Sequence, residues 1–300
     1  MSKVLLVGAG ASFGSDTVNV PPLGNHLFSA LRKFNPDGWG AEELSLSTIF
    51  NADFEAGMIE LEKKLPLSMS ILQRAMAAYF FSFVPLTSNL YYQLALRLKG
   101  KSWPGSIITL NYERLLLLSL LGAAIQPVCN MIPANTSQVE VCFPHGCCNL
   151  FCESVRAISG AVTFHGTDVT TYGPVVSISD EVQFHNRIRN DAFPPVMSYF
   201  EPSKRTASGN DFINSQRKRM ELLITSAEKV VIVGIKIRTS DKHIWGTLAR
   251  SSAKISYFGS NEDENDFERW QLEENRKTND RFVCKFFKEG FSEICNELGL

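Results

Sequence analysis

Three apolar runs of this chain each end in residues whose types could take part in chemistry. Glycine lets backbone N–H groups approach a diphosphate, because no Cβ keeps the ligand away. Polar side chains at the ends of strands do not contribute to a hydrophobic core, so they are candidates for a functional site. Among them, a neutral histidine imidazole can accept a proton near pH 7. The residues concerned are Gly8, Ala9, Gly10, Ala11 and Ser12 after the run 4–7, Asn111 and Glu113 after the run 106–110, and His145 after the run 139–143.

Each of these residues also has an ordinary structural interpretation. A Gly-Ala-Gly turn after a strand is a weak signal, since it can be a tight turn only. Asn111 is placed to cap a helix that begins at Glu113, and His145 can be a hydrogen-bonded structural imidazole. Their joint appearance at successive strand ends favours one shared site, because the carboxyl ends of parallel strands border the ligand crevice in open α/β sheets.

The elements that must position these residues alternate between strands and helices. This alternation predicts an α/β fold with a doubly wound, mainly parallel, Rossmann-like sheet. Besides residues 4–7, the predicted strands are 106–110, 125–128, 139–143, 175–178, 229–233, 254–258 and 282–287. The predicted helices are 53–65, 68–83, 88–98, 113–121, 211–227, 241–249, 263–276 and 291–298.

The chain of 300 residues is interpreted as one nucleotide-binding domain, residues 1–300, with two insertions. Residues 36–103 are almost wholly helical in pattern and interrupt the alternation. Residues 149–210 form a second, irregular insertion that contains several glycines and prolines.

The first glycine turn departs from the dinucleotide fingerprint of dehydrogenases. Its third glycine, Gly14, lies one place late, and Pro21 and Pro22 interrupt before a helix can run. Proline is tolerated at a helix start but not inside a helix, so the next helix should begin near Leu23. This arrangement disfavours an NAD-dependent dehydrogenase and leaves residues 13–22 as a loop beside the ligand.

Composition excludes several classes of function. With 44% hydrophobic and 20% charged residues, the chain can form an ordinary hydrophobic core. Its net charge of −1 produces no positive electrostatic potential that would attract DNA or an acidic membrane surface. Its longest apolar runs, 76–86 and 115–125, fall short of the ~20 residues that span a bilayer. A strand that begins at residue 3 leaves no room for a signal peptide, so we expect a soluble, cytoplasmic protein.

The cysteines predict reduced thiols and no metal. Seven cysteines without a secretory signal are typical of a reducing compartment. Cys147, Cys148 and Cys152 cluster, but their spacing is not that of a structural zinc site. The chain also contains no H-E-x-x-H motif.

Read in order, these motifs resemble the sirtuin-like domains of bacterial antiphage defence. The matching segments are Gly-Ala-Gly-Ala-Ser at 8–12, Thr-Leu-Asn-Tyr-Glu at 109–113, Pro-His-Gly at 144–146, and Val-Val-Ile-Val-Gly-Ile at 230–235 with Ser-Asp-Lys-His-Ile at 240–244. The motifs span residues 4–261. In that branch of the family the domain hydrolyses NAD+ and does not deacylate proteins.

The resemblance implies a role for each matching residue. Residues 8–12 would bind the adenosine diphosphate moiety, Asn111 would orient the water or substrate at the nicotinamide ribose, and His145 would be the general base. Glu113 stands where the family usually has aspartate, near the nicotinamide amide. Gly234 and the turn Gly259-Ser260-Asn261 would border the adenosine.

Three departures from the family pattern bear on the activity. Leu110 stands where protein-deacylating sirtuins have glutamine, and the zinc cysteine pairs are missing, so deacylation is disfavoured. Lys236 replaces a small hydroxyl residue on the adenosine side.

We therefore expect an NAD+ glycohydrolase that releases nicotinamide and ADP-ribose and acts in antiphage defence by NAD+ depletion. NAD+ is the substrate, and no metal is required. The alternatives are a non-catalytic NAD or ADP-ribose sensor, an NAD-dependent protein deacylase and a dehydrogenase.

An NADase needs an inactive state, because its activity depletes the cell's cofactor. The resemblance therefore also implies regulation by assembly with other chains. Short chains of this kind resemble those encoded beside a HerA-type hexameric ATPase, so we expect a homo-oligomer and such an ATPase as partner. The aromatic stretch 78–83 and the pair Tyr91-Tyr92 are candidate contact surfaces, with core packing as the alternative. No membrane and no direct nucleic-acid partner is expected.

Overall fold

The computed structural model describes residues 2–37, 39, 44–66, 69–153, 171, 173–198, 206–238, 241–276 and 280–300. Within these ranges the central sheet consists of β1 (Lys3–Val7), β2 (Gly105–Thr109), β3 (Gln126–Val128), β4 (Gln138–Cys142), β7 (Lys229–Val233), β8 (Lys254–Gly259) and β9 (Arg281–Cys284). Two other strands, β5 (Leu150–Cys152) and β6 (Val175–Ser177), form a separate antiparallel pair.

The central sheet is parallel throughout and its chain order reverses at β1. The strand order is β3-β4-β2-β1-β7-β8-β9, and each neighbouring pair runs in the same direction. The chain passes outward from β1 to β2 and β4 and then returns to β7 on the other side of β1. All carboxyl ends therefore lie at one edge, which confirms the predicted doubly wound, Rossmann-like fold.

Helices pack on both faces of this sheet. The described helices are α1 (Ala9–Phe13), α2 (Gly24–Phe34), α3 (Ser47–Ala52), α4 (Phe54–Lys64), α5 (Met69–Phe81), α6 (Leu90–Leu98), α7 (Leu115–Gly122), α8 (Glu181–Asn190), α9 (Asn210–Ser226), α10 (Trp245–Arg250), α11 (Asn261–Glu273) and α12 (Phe287–Leu298). Among these described helices, none has the length and apolar character needed to cross a bilayer.

The side chains of β1 alternate between two apolar clusters because successive residues of a strand point to opposite faces. Leu5 and Val7 belong to a cluster formed with α2–α8 and α12, which we call the first layer. Val4 and Leu6 belong to a cluster formed mainly with α9, α10 and α11, which we call the second layer. Burial on both faces explains why the strand is an unbroken apolar run.

The predicted helical insertion lies on one side of the sheet. The described helices between residues 44 and 98 contribute buried side chains to the first layer, where the rings of Phe28 and Phe50 stack at 4.4 Å. Phe80, Phe81 and Tyr91 are also buried there, so these side chains pack in the core and form no contact surface. Residues 38, 40–43, 67 and 68 of this insertion lie outside the described residues.

The described part of the second predicted insertion contains regular elements besides the predicted strand at 175–178. It contains the hairpin of β5 and β6 and the helix α8. The Asp180 side chain caps α8 by accepting a hydrogen bond from the amide of Gln183 at 2.7 Å. Phe184 is the fully buried apolar residue of α8, so the helix carries little apolar periodicity that a sequence pattern could reveal. Residues 154–170, 172 and 199–205 lie outside the described part of the chain.

Candidate functional site at the carboxyl edge

The predicted site residues follow the carboxyl ends of the sheet strands, and some of them are in direct contact. The amide of Leu110 donates to the carbonyl oxygen of Val7 at 3.0 Å, which continues the pairing of β1 and β2 past their ends. Beyond this point Nδ2 of Asn111 donates to the Gly8 carbonyl at 3.1 Å and to Oγ of Ser12 at 2.7 Å. The structure thus joins Asn111 to the glycine turn, residues 8–12.

Ser12 is the centre of a buried hydrogen-bond network, which we call the serine network. Its Oγ donates to Oε1 of Glu113 at 2.5 Å and lies 3.0 Å from the Tyr91 hydroxyl. Since the single Ser12 proton goes to Glu113, the Tyr91 hydroxyl donates to Ser12, as Nδ2 of Asn111 also does. The donor and both lone pairs of the Ser12 hydroxyl are therefore used. The other Glu113 oxygen, Oε2, accepts from the amide of Leu115 at the start of α7.

Burial governs the protonation of this network. Burial raises the pKa of the Glu113 carboxyl above its ordinary value, while the hydrogen bonds from Ser12 and Leu115 act in the opposite direction. Burial, together with the negative charge of Glu113, also raises the pKa of the Tyr91 hydroxyl. Tyr91 therefore stays a neutral hydrogen-bond donor, and Glu113 binds its proton more tightly than an exposed carboxyl does.

The glycines of the turn allow it to approach the backbone after β7 closely. The amide of Gly10 donates to the Gly234 carbonyl at 2.9 Å, and Gly234 adopts a φ of +66°. A Cβ at Gly234 would lie 2.0 Å from the amide nitrogen of Ala11, so no side chain fits there. Of the amides from Gly8 to Ala11, that of Ala9 has no hydrogen-bond partner among the described residues. Most amides of the turn therefore bond to the protein itself, and within the described part of the chain the Ala9 amide is the one left for a ligand.

His145 lies in a turn that neighbouring segments hold in place. Gln216 of α9 accepts through Oε1 from the amide of Phe143 at 2.8 Å, just before the turn. After it, the amide of Ser198 donates to the carbonyl of His145 at 2.9 Å, and Tyr112 donates its hydroxyl to the Ser198 carbonyl at 3.1 Å. The rings of His145 and Tyr112 are 6.2 Å apart. His145 therefore lies near Tyr112, the residue that follows Asn111 in the chain.

His243 contacts His145, which the sequence interpretation missed. The two Nε2 atoms are 2.9 Å apart, so one imidazole donates and the other accepts. In the sequence, His243 stood out only as part of the matching segment 240–244. The available signal was its position ten residues after β7, whose carboxyl end lies at the same edge as that of β4. Ser240 of the same motif lies outside the described residues.

The described residues that follow β7 contact both layers. Ile235 and Ile244 pack in the second layer. Arg238 pairs with Glu55 at 2.8 Å and with Asp53 at 3.4 Å, at the start of α4 in the first layer. Residues 239 and 240 lie outside the described part of the chain. Asn111 and His145 are each 6% exposed.

Asn261 is not joined to the other predicted residues. It is the first residue of α11, where Ser260 forms the helix cap, and its Oδ1 accepts from the Cys284 thiol at 2.7 Å. Among the described residues no hydrogen bond links it to the glycine turn, Asn111 or His145. Its assignment to the adenosine stays a prediction. The described part of the chain also shows no cluster of three or more histidine, cysteine or carboxylate side chains that could hold a metal ion.

Comparisons with known proteins assign no family to this chain. Neither protein-family models nor curated protein sequences give a match. The resemblance of its motifs to sirtuin-like domains therefore stays a prediction.

Proposed function

We propose that this protein is an NAD+ glycohydrolase, which cleaves the nicotinamide–ribose bond with water and releases nicotinamide, ADP-ribose and one proton. The fold supports the proposal because open sheets of this kind bind dinucleotides at the carboxyl edge where the strand order reverses. Here the order reverses at β1, directly below the glycine turn. In this proposal, Asn111 and His145 carry out the reaction.

The geometry of Asn111 is the observation that carries the proposal. Its Nδ2 makes hydrogen bonds to Gly8 and Ser12, which fix the plane of the carboxamide. Its Oδ1 has no hydrogen-bond partner among the described residues. A fixed carboxamide with a spare acceptor oxygen can orient a ribose hydroxyl or a water molecule at the reacting carbon.

His145 would accept the proton of the attacking water. Cleavage of the nicotinamide–ribose bond builds oxocarbenium-like charge on the sugar, as in glycoside hydrolysis. Because nicotinamide is cationic in NAD+ and leaves neutral, the reaction needs no strong acid. It needs a positioned water and a base that is neutral near pH 7, and imidazole fits that requirement.

The dinucleotide would lie along the carboxyl edge. Residues 8–12 and Gly234 would border the ADP moiety, with the amide of Ala9 as a donor to the diphosphate, and Asn261 would border the adenosine. The resemblance assigns Glu113 to the nicotinamide side. Its contacts with Ser12 and Leu115 add a second role, which is to hold the glycine turn against α7.

Asn111 and His145 are buried, so neighbouring side chains must move before NAD+ reaches them, and Arg238 is a candidate. Its pairs with Asp53 and Glu55 are partly exposed, with side-chain exposures of 33% for Arg238, 44% for Asp53 and 18% for Glu55. Exposed pairs contribute about 0–1 kcal/mol, so displacement of Arg238 costs little.

A direct assay separates the proposed activity from its alternatives. Purified protein is incubated with NAD+, nicotinamide is measured by chromatography, NADH by absorbance, and binding by equilibrium dialysis. Nicotinamide released by water alone supports the proposal. Release that requires an acylated peptide indicates a deacylase, NADH formation with a reduced substrate indicates a dehydrogenase, and binding without turnover indicates a sensor. Absence of both binding and turnover, with and without the partner named below, contradicts the proposal.

The proposal includes regulation by assembly in antiphage defence. An NADase that depletes the cell's cofactor needs an inactive state, and we propose that homo-oligomerisation and a HerA-type hexameric ATPase control it. Light scattering of the purified chain, and the NAD+ assay with and without the ATPase, test this part. A strictly monomeric protein that cleaves NAD+ constitutively and independently of the ATPase would refute it.

A further inference from the structure

The contact between His145 and His243 joins a buried imidazole to a half-buried one. His145 is 6% exposed. His243 lines a surface groove of about 320 Å³ between α9 and α10. One face of the pair is therefore enclosed at the carboxyl edge, and the other borders water.

The spacing of the two imidazoles allows a proton to pass between them. At 2.9 Å the two Nε2 atoms form a hydrogen bond, which requires an N–H on one ring and a lone pair on the other. Two N–H groups facing each other at this distance would repel. The contact therefore holds a single proton, which either ring can carry.

The groove provides a place for a proton to leave. Thr247 donates its hydroxyl to the His243 carbonyl at 2.8 Å, which fixes the backbone that presents His243 to the groove. Arg217, Lys218, Arg250 and Glu221 also line this groove, and Glu221 pairs with Arg250 at 3.0 Å. Three cations and one carboxylate leave the lining with a net positive charge, which favours transfer of a proton from His243 to groove water.

We infer that His243 is a proton relay between His145 and solvent. This inference rests on the proposed hydrolysis, which leaves one proton over in each turnover. The carbon–nitrogen bond to nicotinamide breaks with its electron pair on the nicotinamide nitrogen, and the water oxygen bonds to the ribose carbon. One water proton passes to Nδ1 of His145, the Nε2 proton of His145 passes to Nε2 of His243, and the Nδ1 proton of His243 leaves for groove water. His243 acts through His145 and does not touch the reacting atoms.

Two substitutions of His243 test the relay in the full-length protein. His243→Ala removes the imidazole, and His243→Gln keeps a side chain that can hydrogen-bond His145 but cannot take up and release a proton. We expect kcat for NAD+ cleavage to fall at least ~10-fold in both, less than the ~10²–10⁴-fold of a general base, with KM changed less than ~3-fold. Added imidazole should restore kcat in His243→Ala. The matched control is His185→Ala, an exposed histidine on α8, which should behave as wild type.

The outcomes separate the relay from the proposed function. If wild type cleaves NAD+ and both variants match it, the relay is overturned and the hydrolase stands. If His243→Gln keeps wild-type kcat, or if imidazole does not rescue His243→Ala, His243 only positions His145 and the relay is also overturned. If wild type, with the ATPase present, cleaves no NAD+, the proposed function fails and the relay fails with it. Thermal unfolding curves confirm that each variant is folded.

Discussion

The two ends of the candidate site are built in different ways. At the glycine turn, Ser12, Tyr91 and Glu113 are buried, and every hydrogen-bonding site of the Ser12 hydroxyl is used. At the other end, the His145 imidazole contacts the imidazole of His243, and His243 borders a surface groove. The first end resembles a protein core, and the second end resembles an interface with water.

This difference indicates that the two ends have different functions: the glycine turn stabilises the fold, and the histidine end takes part in the reaction. Substitutions in the glycine turn should lower the free energy of unfolding, because they disturb a fully satisfied, buried arrangement. Substitutions at the histidine end should lower activity and leave stability nearly unchanged. Asn111 belongs to both ends, since its Nδ2 holds the turn and its Oδ1 is available to substrate.

The largest effect is expected where the glycine turn meets Gly234. In Gly234→Ala the new Cβ would lie 2.0 Å from the Ala11 amide nitrogen at a φ of +66°. The turn must then move away from β7. We expect the free energy of unfolding to fall by at least ~3 kcal/mol, measured by urea denaturation.

Gly100→Ala is the matched control for this prediction. Gly100 has a similar φ of +73°, but a Cβ there would meet no atom within 4 Å. Its substitution should cost only the ~1–2 kcal/mol of the left-handed conformation. Equal losses in the two variants would show that the contact of Gly10 with Gly234 contributes nothing, and the core-like description of the turn would be wrong.

Loss of either proposed reacting residue is the next largest effect. His145→Ala should lower kcat for NAD+ cleavage by at least ~100-fold, because a general base contributes ~10²–10⁴-fold. Asn111→Ala should lower it at least as much by removing orientation at the reacting carbon. The comparison of the two ends predicts a second difference: Asn111→Ala also destabilises the fold by ~1–3 kcal/mol, and His145→Ala does so much less.

His26→Ala serves as the control for both variants. His26 is an exposed histidine on α2, and its removal should leave kcat and stability unchanged. Full turnover by His145→Ala would eliminate the proposed mechanism. Equal destabilisation by the Asn111 and His145 substitutions would remove the difference between the two ends.

Local patterns were sufficient to predict the fold and the position of the site along the chain. The apolar runs that became β1, β2 and β4 are buried on both faces, so their type is clear without any contact information. Because these strands are parallel neighbours, the residues after them had to meet at one edge. The sequence therefore placed Ser12, Asn111 and His145 correctly after strands that end at the same edge.

The contacts that define each end could not be predicted from the sequence. Gly234 is required by an approach of Ala11, which is 223 residues away and leaves no local signal. The pairing of His243 with His145 joins residues that are 98 positions apart, and no local pattern specifies it. The sequence also assigned the turn amides to a diphosphate, whereas Gly10 uses its amide to bind Gly234.

The protonation of Glu113 offers a test of the buried end through pH. Its pKa is raised by burial, so the folded protein binds this proton more tightly than the unfolded chain does. The free energy of unfolding should therefore fall as pH rises from about 4.3, the ordinary pKa of glutamate, through the raised pKa. In Glu113→Gln this part of the pH dependence should be absent. Urea denaturation of both proteins between pH 4 and pH 8 measures the difference, and parallel curves would contradict a buried carboxyl with a raised pKa.

The smallest effect is expected at Arg238, which lies in the chain between β7 and His243. Arg238→Ala removes the contacts with Asp53 and Glu55, which are partly exposed and contribute about 0–1 kcal/mol. The free energy of unfolding should change by less than ~1 kcal/mol. If these contacts hold Arg238 in the path of the substrate, KM for NAD+ should fall by up to ~5-fold, the equivalent of ~1 kcal/mol. Arg269→Ala, which breaks an exposed pair with Asp266 on α11, is the control and should leave KM unchanged. A rise in KM in Arg238→Ala would mean that Arg238 binds the substrate, and a loss of stability above ~2 kcal/mol would mean that this end of the edge is as core-like as the glycine turn.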